Sequence, residues 1–267
     1  RRTGNRAVFA ARGDLLTVPK EHGDVRNVTR TPGAHDKHPV FSPDGSTIAF
    51  VSDQSGEEQV WLVDHKGEQP ARQLTNGLNA MLYQPDWSPD GKWIAIGDKD
   101  GVLRVCEVAT GKLLDIANEP RGQLRDYSWS PCSGHLAFSM SDTTELSHLY
   151  IWTRAEQQLR MVSREMSNDS SPAWGPLGER LFFRGLRGFQ PRLSTTYEWD
   201  FQIDRGYGIY ALALREDLPA LLARRSDEAI TEDPPASADP TNDKKTPEFA
   251  SPIAIDFDGL ADRVETL

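Results

Sequence analysis

The sequence predicts an all-β fold, a β-propeller of four-stranded antiparallel blades, and three observations carry that prediction. An aromatic-Ser-Pro-Asp-Gly motif recurs, its copies are spaced as propeller blades are, and a short apolar strand opens at a fixed distance after each copy. The copies are Phe41-Ser42-Pro43-Asp44-Gly45, Trp87-Ser88-Pro89-Asp90-Gly91, Trp129-Ser130-Pro131-Cys132-Ser133 and Trp174-Gly175-Pro176-Leu177-Gly178, and they begin 46, 42 and 45 residues apart. A period of this size built from short strands is the signature of a radial array of blades. Seven residues after each aromatic come Ile48-Ala49-Phe50, Ile94-Ala95-Ile96, Leu136-Ala137-Phe138 and Leu181-Phe182-Phe183. Four copies agree in register.

Each element of a blade follows from local chemistry. The motif itself is a tight turn: proline presets φ, aspartate supplies a side-chain acceptor, and glycine supplies a permissive backbone. The aromatic anchors the innermost strand, and the strand after the turn is the second. A third strand follows in Gln59-Val60-Trp61-Leu62-Val63, Val102-Leu103-Arg104-Val105 and His148-Leu149-Tyr150-Ile151-Trp152, where polar and apolar residues roughly alternate. Turns such as Asp64-His65-Lys66-Gly67 and Ala109-Thr110-Gly111-Lys112 lead to outer strands in Ala71–Thr75 and Leu113–Ile116. The N-terminal stretch supplies three strands, Arg6–Ala10, Asp14–Val18 and Val25–Thr29, and reads as a blade without its inner strand. A fifth unit starts at Trp174, is interrupted by an insertion from Arg184 to Gly206, and resumes at Gly208–Leu214. Residues 1–225 are thus expected to hold about five blades. Residues 226–252, rich in Pro, Asp, Glu, Ala and Thr, read as a disordered acidic linker, and residues 253–267 as a strand, Ile253–Phe257, that begins a further blade. With its ring not evidently closed and Arg at residue 1, the chain is expected to be a fragment or processed product with open edges.

Composition narrows the function. The 267 residues suit one large repetitive domain, and 7 Trp and 10 Phe are enough to build its core. A net charge of −10 argues against nucleic acid as a partner, which needs concentrated Lys and Arg. No apolar run approaches the roughly 20 residues of a membrane span, and none resembles a secretion signal. Cys106 and Cys132 lack metal-ligand spacing and are expected as buried free thiols.

The repeats resemble those of the translocation protein TolB and of tricorn-type proteases, and are less like WD40 repeats, since the only Trp-Asp pair, Trp199-Asp200, falls in the insertion. Gly13–Pro19, Arg26–Gly33, Tyr197–Phe201 and Ile255–Val264 tilt the resemblance toward the seven-bladed propeller of a tricorn-type serine protease. That resemblance implies an incomplete portion of a seven-bladed ring, in a cytoplasmic peptidase whose PDZ and catalytic domains are not in this chain. No catalytic residue and no cofactor carries over. The implied role is a passage or filter for peptides or unfolded polypeptide in a self-compartmentalising peptidase, contacting the parent's other domains and subunits. The alternative is a freestanding TolB-like propeller, periplasmic, that binds partner proteins.

Two sets of residues are candidates for that role. Those three before the repeat aromatic, His38, Gln84, Asp126 and Ser171, and one before it, Val40, Asp86, Ser128 and Ala173, are expected to line an axial channel. Asp86 and Asp126 make such a lining acidic and polar, suited to extended peptides that slide without being gripped. Arg184, Arg187 and Arg192, with Tyr197, form a basic and aromatic cluster that can dock a peptide carboxylate or another domain through bidentate contacts, or simply belong to a solvated loop. His35-Asp36-Lys37-His38 matches no zinc pattern, and Asp256-Phe257-Asp258-Gly259 with Asp262 lacks the twelve-residue calcium loop. Ser147-His148 and Ser133 with His135 read as strand and turn residues, because no Gly-Xaa-Ser-Xaa-Gly elbow occurs.

Overall fold

The structure, a computed structural model, describes residues 5–119, 121–187, 191–193, 201–203, 206–221 and 252–267. Five antiparallel sheets follow one another in chain order. The first is β1 (Arg6–Ala11), β2 (Asp14–Pro19) and β3 (Arg26–Asn27). The second is β4 (Lys37–Phe41), β5 (Thr47–Ser52), β6 (Gln59–Asp64) and β7 (Arg72–Gln73), and the third β8 (Asp86–Trp87), β9 (Trp93–Gly97), β10 (Val102–Glu107) and β11 (Leu113–Asn118). The fourth is β12 (Tyr127–Trp129), β13 (His135–Ser141), β14 (Ser147–Thr153) and β15 (Gln158–Met161). The fifth begins with β16 (Asp169–Trp174) and β17 (Arg180–Gly185), gives way to a small hairpin of β18 (Pro191–Leu193) and β19 (Phe201–Ile203), and resumes with β20 (Gly208–Ala213). Among the described residues the first sheet has no innermost strand.

The fifth sheet is completed from far along the chain. Its outer strand is β21 (Val264–Thr266), paired with β20 through Tyr210↔Thr266 and Leu212↔Val264. This corrects the expectation for residues 253–267, which close an existing blade and do not open a new one. Ile253–Phe257 forms no strand. It is a strap laid across the fourth and fifth sheets: the Ile253 carbonyl lies 3.4 Å from His135 Nε2, Asp256 N–H donates to the Leu214 carbonyl at 2.9 Å, and Phe257 lies under the Arg160 guanidinium at 4.3 Å. Its alternating apolar residues resemble a strand because alternate side chains, Ile255 and Phe257, pack into the core between these sheets. The linker stretch 226–252 lies outside the described residues except for Pro252.

Four apolar cores lie between successive sheets. Ile48 and Phe50 of β5 face back onto Leu15 and Val28 of the first sheet, while Ala49 and Val51 face forward onto Leu82, Trp87 and Ile94 of the third. Alternation repeats in β9, where Ile94 and Ile96 face back and Ala95 forward, and in β13, where Leu136 and Phe138 face back and Ala137 forward. Central strands are therefore apolar on both faces, and the small forward residue leaves room for the next aromatic. That aromatic also makes a specific bond. Trp87 Nε1 donates to the Val40 carbonyl at 3.3 Å, Trp129 Nε1 to the Asp86 carbonyl at 3.2 Å, and Trp174 Nε1 to the Ser128 carbonyl at 2.9 Å. The repeat residue thus joins each sheet to the one before it, giving a buried indole the partner it needs.

Turns hold even where the motif degenerates. Ser42 and Ser88 hydroxyls donate to Asp44 and Asp90 at 2.5 and 2.6 Å and accept N–H bonds from Thr47 and Trp93, both at 3.0 Å. In the fourth sheet Cys132 replaces the aspartate, with its sulfur 3.3 Å from Ser130 Oγ, so this thiol is half-buried in a turn and Cys106 alone is fully buried. The left-handed fourth position is kept by Gly45, Gly91 and Gly178 at φ 75°, 71° and 71°, and by Ser133 at 59°. Outer strands are short because a hydroxyl takes over the ladder: Thr29, Thr75 and Ser163 accept the N–H groups of Leu15, Val60 and Leu149 at 3.1, 2.9 and 3.0 Å.

Candidate functional site

The ends of the innermost strands, and the loops that lead into them, place most of the candidate residues on one face of the sheet array. A register shift interrupts the pairing of β4 with β5 between Lys37 and Val40, and that of β16 with β17 between Ser170 and Ala173. At the same repeat position in each bulge, His38 and Ser171 adopt φ values of 53° and 56°. Such bulges re-aim side chains at strand ends. His38 and Ser171 are exposed, as are Gln84 and Ala173. Partial burial, with Lys37 next to it, holds the His38 imidazole below its ordinary pKa.

Asp86, Asp126 and Ser128 are half-buried and built into the joints between sheets. Burial pushes the Asp86 carboxyl up to about 6, against which N–H bonds from Trp87 and Trp129 act. Asp126 is also raised by burial, and its Oδ2 accepts the Ser139 hydroxyl at 2.5 Å and the Ser171 N–H at 2.7 Å, tying the fourth sheet to the fifth. Val40 is half-buried against the core between the second and third sheets, so its side chain serves packing as well as any channel. Gln84 is held by its carbonyl, which accepts the Tyr127 hydroxyl, while the same phenol oxygen accepts the Gly97 N–H at 3.2 Å.

A cavity of about 410 Å³ opens at this face between the fourth and fifth sheets, and it gathers residues from both candidate sets: Asp126 and Ser171 from the inner strands, Arg184 from the basic cluster. Glu119, Arg121 and Arg125 of the β11–β12 loop also line it, together with Ser139, Ser141, Ser147 and Ser170. Arg121 donates to Glu145 at 2.8 Å, and the Arg184 guanidinium lies 4.7 Å above the Tyr207 ring. Arg187 plays a different part. Its two donors reach both carboxylate oxygens of the fully buried Asp169, at 3.0 and 2.6 Å, and it lies 5.0 Å over the Phe183 ring, so it is committed inside the sheet. The Arg192 side chain and Tyr197 lie outside the described residues. Arg121 and Arg125 escaped sequence reasoning because they fall outside the repeat motif, in a loop with no motif of its own. Among the described residues no group of His, Cys, Asp or Glu is arranged to hold a metal ion, and no helix is long and apolar enough to cross a membrane.

Successive antiparallel sheets packed face to face and joined by an inner-strand aromatic define a β-propeller, here a partial one. The profile of the family described as the tricorn protease second beta propeller domain matches residues 1–267. The chain belongs to that family. It is 25% identical to tricorn protease homolog 1 of Streptomyces coelicolor over 268 residues, covering 98% of this chain and 24% of the relative. A TolB homolog of Chlorobium chlorochromatii is 31% identical over 146 residues, 54% of this chain and 32% of that protein. Among solved structures, the tricorn protease superposes with a TM-score of 0.77 at 15% identity, covering 99% of this chain and 24% of that one. A TolB from Agrobacterium tumefaciens gives a TM-score of 0.55 at 16% identity over 79% of this chain and 74% of that one. The chain therefore spans about a quarter of the length of the tricorn relatives it matches.

Proposed function

We propose that this chain is the non-catalytic propeller portion of a tricorn-type serine peptidase and that its axial face passes peptide substrates toward catalytic residues carried elsewhere in the parent protein. The observation that supports it most is the family match along the whole chain, joined to an axial face that is polar and of mixed charge. Exposed Gln84 and Ser171 offer hydrogen bonds to a peptide backbone without an apolar surface to trap it. The other domains and subunits of the peptidase are the natural partners, in the cytoplasm.

The test uses the intact parent protein. Ser171→Trp, which adds bulk at an exposed inner-strand position, is expected to lower kcat/KM for extended peptides by more than for a small fluorogenic substrate. An equal effect on both substrates overturns the passage. The TolB likeness supports the rival reading of a freestanding module that binds a folded partner, and there the variant would weaken capture of that partner with no peptidase present.

A further inference from the structure

We infer that the cavity between the fourth and fifth sheets is a carboxylate-binding subsite, with Arg125 and Arg184 as its charged donors. The inference rests on the reading of this face as one that handles peptides. The chain as a whole carries a net charge of −10, yet three arginines line this one cavity. Both acids in it are already engaged. Asp126 accepts from Ser139 and Ser171, and Glu119, only 8% exposed, accepts from Ser141. Arg121 is paired with Glu145. Arg125 is exposed and has no ion-pair or hydrogen-bond partner among the described residues. Arg184 is exposed and set over the face of Tyr207, and its N–H groups have no acceptor among the described residues. A guanidinium held over a ring, lining one cavity with a second that has no partner among the described residues, is an arrangement suited to carboxylates. Ser147 of the fourth sheet and Ser170 of the fifth line the same cavity and bring neutral hydroxyl residues to its two walls.

The ligand class is a carboxylate on a peptide, either the free α-carboxylate of its C-terminus or an acidic side chain. The experiment titrates the purified chain with three fluorescein-labelled peptides of otherwise neutral sequence: one with a free C-terminus, one amidated, and one amidated with an internal Glu. The free peptide is expected to bind about tenfold more tightly than the amidated one, and Arg125→Gln and Arg184→Gln are each expected to erase that preference. If the internal Glu restores binding and the variants abolish it, the subsite stands with the side chain as its source. Binding that ignores the peptide's end group and its Glu overturns the subsite and leaves peptide handling intact. No binding of any of the three peptides by chain with native thermal unfolding overturns both. Arg125→Lys and Arg184→Lys keep the charge and lose the fork, so a retained preference in them assigns the effect to charge alone and overturns the bidentate assignment.

Discussion

The second and fifth sheets start from one sequence pattern, Asp-Xaa-Xaa-Pro-Xaa-aromatic, and are held together at opposite ends. In both, the aspartate is buried, the next residues bulge, and the aromatic closes the inner strand. In the second sheet this aspartate, Asp36, accepts the Thr31 hydroxyl, and its Oδ1 has no partner among the described residues, while the turn carries a full Ser42–Asp44 network. In the fifth sheet Asp169 is clamped by Arg187, while the turn has Gly175 and Leu177 and no side-chain bonds among the described residues. Their forward faces differ too. Ala49 of the second sheet receives Trp87, whereas the same position in the fifth holds Phe182, half-buried in a small hollow with Leu177 and Leu221. Fold and backbone turn tolerate both solutions, so the repeat fixes geometry and leaves open where side-chain stabilisation is placed.

The largest expected effect is at the aspartate end of the fifth sheet's inner strand. Arg187→Leu strands a fully buried carboxylate and is expected to cost ~3–5 kcal/mol in urea unfolding. A loss under about 1 kcal/mol would show that Asp169 tolerates an unpartnered buried oxygen as Asp36 does. Next come the forward faces: Ala49→Phe overfills a fully buried position and is expected to cost ~3 kcal/mol, whereas Phe182→Ala is expected to cost less than about 1 kcal/mol. Similar losses from both would break the contrast. At the turns, Asp44→Ala removes the acceptor of the Ser42 hydroxyl and the Ser46 N–H for ~1 kcal/mol, whereas Leu177→Asp is expected to gain almost nothing because Gly175 offers no hydroxyl.

The smallest effect sharpens the comparison through pH. The residue before the aromatic is Val40 in the second sheet and Ala173 in the fifth, but Asp86 in the third. Unfolded, this carboxyl titrates at about 3.8, and in the fold at about 6, so between those values the native state holds the extra proton and stability falls as pH rises. Asp86→Asn is expected to flatten that fall in melting temperature between about pH 4 and 6, and an unchanged slope would assign the carboxylate to solvent.

Much of this was legible because the repeat writes the same chemistry four times: turn, aromatic and double-faced strand each have a local cause. The indole-to-carbonyl bonds were not, since nothing in a Trp says which carbonyl it will meet 43 to 47 residues back. Ile253–Phe257 misled because alternation reports which side chains are buried, and burial in a groove alternates as burial in a ladder does. The pairing of Val264–Thr266 with β20 spans the 226–252 linker and leaves no local trace. Three of the cavity's residues, Asp126, Ser171 and Arg184, were candidates from sequence, yet only the approach of the fourth and fifth sheets brings Ser171 and Arg184 to Arg125 and Asp126. The signal that went unread is Asp36 and Asp169 at matching positions, a buried aspartate five residues before the aromatic in the second and fifth sheets.

Each repeat tryptophan donates backward, to a carbonyl that belongs to an earlier part of the chain. Docking is therefore directional: a sheet offers the acceptor first and the donor arrives with its successor. A ribosome delivers the chain in that same order, so sheets two to four can be added as they emerge, each onto a finished neighbour. The fifth breaks the sequence, because its outer strand is made some 50 residues after β20, and until Val264–Thr266 arrives the newest edge of the array stays open.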